Sequence, residues 1–145
     1  MHIRPIEPGD RVAWARLFRE YGVFYETTFD DPVLDGVWTW LMDAAHPVSA
    51  FVATEGGTLV GFAHFRAVPD TFSAADGWFL DDLYVEPGQR GKGVATELIE
   101  AVAAECAARG GGTLRWITAA DNTTAQRVYD RIANRTTWVT YERET

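Results

Sequence analysis

The run WFLDDLYV at residues 78–85 places two adjacent carboxylates, Asp81 and Asp82, inside an otherwise apolar stretch. Buried strands rarely carry charge without a partner or a task. Neighbours on a strand point to opposite faces unless a bulge intervenes, so one of the pair is expected to face an acceptor cation and the other to cap or pair structurally. A few residues later, QRGKGVATELIEAV (89–102) opens a helix-forming run on glycines and cations, with no Ser, Thr, Asp or Asn to cap it. The orphan amides of such a start attract an anion. Gly91 and Gly93 lack a Cβ and let the backbone approach closely, while Arg90 and Lys92 add positive charge. One anion at a helix end is worth only ~0.3–1 kcal/mol, so several amides and both cations must act together. The Walker interval is missing, and G-x-G-x-x-G fails because Thr96 holds the third glycine's place.

The rest of the composition narrows the chemistry. With 13 basic and 21 acidic residues the net charge is −8, which argues against nonspecific nucleic-acid binding. A negative field also concentrates cationic substrates, although solubility alone accounts for such a balance. The single Cys106 falls on an apolar helical stripe, excludes an internal disulfide and points to a reducing, cytoplasmic setting. His2 and His46 have no partner at metal spacing and one cysteine makes no zinc site, so no metal is expected. No apolar run approaches the ~18 residues of a membrane span, and the N-terminus MHIRPIEPGD does not read as a signal peptide.

These residues need elements to position them. Residues 2–6 read as a short strand. Asp10 can cap a helix over 11–21, with Trp14, Leu17, Phe18 and Tyr21 on one face. Asp31-Pro32 starts a second helix, with Asp31 as cap and Pro32 at the first position. VSAFVAT and TLVGFAHFRAV are β-rich runs joined by Glu55-Gly56-Gly57, a tight-hairpin signal. PDTFSAADG reads as a loop and 78–85 as a strand. A long helix follows on Val94, Leu98, Ile99, Val102 and Cys106, stopped by Gly110-Gly111-Gly112. Residues 113–119 form the next strand, Asp121 or Asn122 begins a last helix with Ala125, Val128, Tyr129 and Ile132 inward, and 136–144 is a final strand. The result is one α+β (α/β) domain over 1–145: a mixed, mainly antiparallel sheet, one parallel pair and about four helices. The strand–helix–strand unit over 78–118 is a right-handed crossover. Ligands gather beyond the carboxyl ends of such strands, where residues 86–93 lie.

Arg90-x-x-Gly93-x-Ala95 after a strand ending Leu83-Tyr84-Val85, followed 32 residues after Arg90 by Asn122-x-x-Ala125-x-x-x-Tyr129, resembles the GNAT superfamily of acetyl-CoA-dependent N-acetyltransferases. The likeness covers nearly the whole chain in element order. FYETT (24–28) and FLDDLYV (79–85) are similar to the polyamine (diamine) acetyltransferases. The family's Gly-Phe pair before the last strand is replaced by Thr137-Trp138.

The resemblance implies that the amides of Arg90, Gly91, Lys92, Gly93, Val94 and Ala95 hold the coenzyme's diphosphate. It also implies that the pantetheine arm pairs with Leu83, Tyr84 and Val85 where the crossover strands splay, and that Asn122 contacts that arm or caps the last helix. Tyr129 stands at the family's acid position. Asp81 is then the proton acceptor, through water, and Asp82 the amine contact; because an ordinary Asp has a pKa of ~3.9, anchoring serves as an alternative role for Asp81. Tyr25 and Glu26 are candidates to line the acceptor pocket or to form a solvated loop, and His64 is a weaker candidate. The expected reaction moves acetyl from acetyl-CoA to the primary amine of a small molecule. Alternatives are acetylation of a protein N-terminus or lysine, and a noncatalytic acyl-CoA-binding module. TWVTYE near the end also invites pairing into a homodimer.

Overall fold

Apolar residues at helical and strand spacing become four helices and five strands in the computed structural model, which describes residues 1–145. In chain order these are β1 (His2–Pro5), α1 (Arg11–Phe24), α2 (Asp31–Met42), β2 (Val48–Glu55), β3 (Thr58–Asp70), β4 (Ala75–Val85), α3 (Val94–Ala108), β5 (Leu114–Arg115) and α4 (Thr123–Ile132). The strands lie side by side in that order; the first three pairings are antiparallel and β4 with β5 is parallel. This is the expected mixed α/β architecture.

The sheet divides two apolar layers. On one face α3 sets Leu98, Ile99, Val102 and Cys106 against Val60, Ala63, Phe65 and Leu80. On the other, Trp14, Leu17 and Phe18 of α1 and Leu34 and Trp38 of α2 cover Val52, Phe62 and Tyr84. Each such side chain contributes about 1.5–3 kcal/mol on full burial, so these layers hold the sheet while its ends stay free for chemistry.

Local causes refine the sequence boundaries. Gly56 and Gly57 sit at φ 56° and 82°, the left-handed pair that a two-residue hairpin turn between twisted strands requires. Asp10 does not cap α1 as expected: its carboxylate takes two bonds from Arg4, at 2.7 and 2.9 Å, and one from the Glu7 amide. The cap of α2 is Asp30, which accepts from the Val33 amide at 3.0 Å, rather than Asp31. The loop read over 69–77 shrinks to a four-residue turn, because β3 and β4 pair out to Asp70 opposite Ala75.

Two corrections concern the end of the chain. The strand expected over 113–119 is paired only at Leu114 and Arg115, opposite Trp78 and Phe79. The cause lies in β4. Its register against β3 shifts between His64, opposite Asp82, and Phe65, opposite Leu80, leaving Asp81 as an extra residue. A bulge bends its strand, and β5 parts from β4 just before it. The strand expected over 136–144 does not form. With β5 out of the ladder after Arg115, that segment has no partner within the chain, and Trp138, Val139 and Tyr141 are exposed.

Candidate active site

The bulge at Asp81 switches the side-chain parity of β4. Before it, Trp78 and Leu80 point to the α3 layer; after it, Tyr84 joins the α1 layer and Val85 the α3 layer. His64 and Arg66, two apart on β3, share a face. His64 Nδ1 lies 2.9 Å from Asp82 Oδ2, and Arg66 Nε donates to both oxygens of Asp81, at 3.1 and 2.9 Å. The bulge therefore turns both carboxylates toward one face, and each has its own nitrogen partner on β3. Burial pushes the Asp81 carboxyl above its ordinary value, against the opposing pull of Arg66.

Beyond the bulge, one edge of β4 pairs with β3 and the other faces the gap left by β5. At its foot, α3 begins. Gly93 precedes the helix at φ 83°, and no side chain caps it. The first intrahelical bond runs from Glu97 N to Gly93 O, so the amides of residues 94–96 have no helical acceptor. Gly91 also takes a positive φ, 77°, and a Cβ on either glycine would meet nothing within 4 Å. These glycines are required by backbone conformation, and the space above them is open.

That space belongs to a cavity of about 660 Å³. Its floor is Leu83, Tyr84 and Val85; one end is Gln89 to Gly91 with Gly93 to Thr96; the facing wall is Asn122, Ala125, Val128 and Tyr129 of α4; the far rim is Tyr21, Phe24 and Tyr25 of α1 and its end. Asn122 Oδ1 accepts from the Ala125 amide at 3.3 Å, so it caps α4 from within the wall. Tyr129 packs edge-on against Trp116. Burial first, then the neighbouring Tyr25, raises the Tyr129 phenol above its ordinary value. Tyr21 is raised by burial and then by Asp82, which ties the carboxylate face to the cavity rim.

The chain matches the protein-family model for the acetyltransferase (GNAT) family over residues 13–133. It belongs to that family. Among curated relatives, a D-amino-acid N-acetyltransferase of Saccharomyces cerevisiae is 32% identical over 143 residues, covering 97% of this chain and 89% of the relative. An aminoglycoside N(6')-acetyltransferase type 1 of Stenotrophomonas maltophilia is 36% identical over 105 residues, 70% of this chain and 65% of its own. Among solved structures, a probable acetyltransferase superposes with a TM-score of 0.89 at 23% identity, over 100% of this chain and 98% of its own. The aminoglycoside N-acetyltransferase AAC(6')-Iy, in complex with a bisubstrate analog of CoA and acetylneamine, does so at 0.85 and 24%, over 99% of this chain and 97% of its own. The protein is an N-acetyltransferase of the GNAT type.

Most of the site residues expected from the GNAT motifs meet in this one cavity, and four stand outside its lining. Lys92 reaches back to Gln89 at 3.3 Å. Glu26 lies past the end of α1, exposed and at φ 57°. Asp81 and Asp82 are absent from the lining and are held by Arg66 and His64. Arg90 lines the cavity, yet its Nε donates to Val85 O at 2.9 Å and its guanidinium lies over the Tyr84 ring, so it braces the floor. Sequence reasoning missed Tyr21 and Phe24 as lining residues. Tyr21 follows Trp14 at the i, i+7 spacing of a core stripe and carries no local sign that it ends at a cavity.

Proposed function

We propose that this GNAT enzyme transfers acetyl from acetyl-CoA to the primary amine of a small cationic molecule, by direct attack with both substrates bound. The supporting observation is the cavity that joins uncapped helix amides to a half-buried phenol. The donors suit a diphosphate: the amides of residues 94–96 are free, Gly91 and Gly93 leave the approach open, and the unpaired β4 edge beside Leu83 and Tyr84 offers backbone groups to an extended arm. When bound, acetyl-CoA supplies an acetyl group on a sulfur that departs as thiolate.

The chain's own residues divide the remaining work. An acceptor resembling lysine, pKa ~10.4, must lose a proton that costs roughly 4.6 kcal/mol to remove at pH 7. Asp82 anchors the ammonium. Asp81 receives the proton through water; burial raises its basicity, and the Arg66 bonds leave carboxylate lone pairs for that water. Tyr129 holds its proton through neutral pH and delivers it where thiolate charge forms. The aromatic rim of Tyr21, Phe24 and Tyr25 limits water at the reacting nitrogen. Two curated relatives bear the names of enzymes for D-amino acids and aminoglycosides; with the polyamine-like stretches, all fall within small amines.

The test is a thiol-release screen with acetyl-CoA against polyamines, aminoglycosides, D-amino acids and short peptides, alongside calorimetry with CoA. Release with small amines and heat with CoA support the reading. Turnover of peptides alone would move it to a protein acetyltransferase, and heat without release to a binding module.

We further infer that two copies pair through residues 136–144. The segment is rich in the β-branched and aromatic residues that favour strands, finds no ladder of its own, and leaves Trp138, Val139 and Tyr141 at 80%, 75% and 90% exposure.

A further inference from the structure

His64 is only 2% exposed on β3, set among the rings of Trp14, Phe18 and Phe62. Both of its nitrogens are engaged. The Trp14 indole N–H donates to Nε2 at 2.9 Å, and Nδ1 faces Asp82 Oδ2 at 2.9 Å. An indole N–H can only donate, so Nε2 presents its lone pair and the ring proton resides on Nδ1, donated to Asp82. A second proton on Nε2 would set two N–H groups against each other in an apolar setting. Packing alone does not call for this arrangement, since an aliphatic side chain fills such a site without polar atoms to satisfy.

We propose that His64 is a positioning residue for the acceptor amine: a buried imidazole, locked in one tautomer by Trp14, that holds Asp82 by Oδ2 and leaves Oδ1 to receive the ammonium beside Tyr21. The proposal rests on the acceptor reading of Asp82 given above. It also accounts for the two separate partners on β3. Two consecutive carboxylates turned to one face would compete for any nearby donor; with Asp81 held by Arg66 and Asp82 by His64, each keeps a separate post.

A purely structural histidine would affect folding and both substrates alike. Positioning of Asp82 affects the amine selectively. A long-range proton–nitrogen correlation spectrum of the whole wild-type chain is expected to show Nδ1 protonated and Nε2 bare at neutral pH; a proton on Nε2 would overturn the proposal without any variant. Kinetics with acetyl-CoA and spermidine, neamine or D-methionine, whichever turns over fastest, then compare two substitutions. His64→Leu should raise the amine KM about tenfold or more, the loss of one hydrogen bond to a charged group, with the acetyl-CoA KM unmoved. His64→Asn, whose amide can donate from near the Nδ1 position, should restore most of it. An unchanged amine KM in His64→Leu, an equal rise in both KM values, or no rescue by His64→Asn would sink the proposal alone. A wild-type protein inert toward every amine would sink the acceptor reading instead.

Discussion

Tyr129 is the residue at which the proposed acid catalysis can be tested against side-chain physics. Its phenol faces the cavity between Trp116 and the α1 rim, and burial holds it above the ordinary value of 10.0. A general acid contributes about 100-fold or more, so Tyr129→Phe should lose that much kcat, while calorimetry with CoA gives an unchanged Kd. The same shift has a stability consequence. A phenol whose folded pKa lies above its unfolded value stabilises the fold fully below about pH 10, and that contribution is lost as pH rises through the folded value. Tyr21, Tyr84 and Tyr129 are all raised. Stability to urea should therefore hold up to about pH 10 and then fall. The decline should be shallower in Tyr129→Phe, and equal slopes would remove this account.

At the scale of elements, the start of α3 is the part most exposed to a single change. Gly93 is left-handed, and an L side chain there costs about 1–2 kcal/mol. Gly93→Ala should lower stability by roughly that amount and weaken CoA binding about tenfold as the loop shifts, read by urea melts and calorimetry; binding left intact would show that the amides can be presented without the turn. This element was legible in the sequence because every cause is local: two glycines, a missing cap, a strand ending just before. The hairpin at Gly56 and Gly57 and the stop at Gly110 were legible for the same reason. What escaped was non-local. The bulge at Asp81 is a matter of register between β3 and β4, and no pattern within WFLDDLYV announces it. The early exit of β5 follows from that bulge. Asp30 and Asp31 both have the chemistry of a cap, and only the path of the chain chose between them. Tyr21 could not be told from core, since a residue lining a cavity and one filling it share the same helical spacing.

For the whole molecule, the unpaired tail is the proposed seam of assembly. Removal of residues 136–145 should convert a dimer to a monomer by sedimentation velocity while leaving the cavity residues in place; a wild type that is monomeric at micromolar concentration would exclude pairing through the tail. The charge of −8 acts at the same scale, and its attraction for the proposed cationic acceptor should weaken as salt rises. One further feature reaches beyond the fold. Cys106, the only cysteine, is 4% exposed on the inner face of α3, and burial raises its thiol pKa. A chromogenic disulfide reagent added to the native protein should consequently find almost nothing to titrate, so colour developing during turnover reports coenzyme set free, with the polypeptide contributing no background of its own.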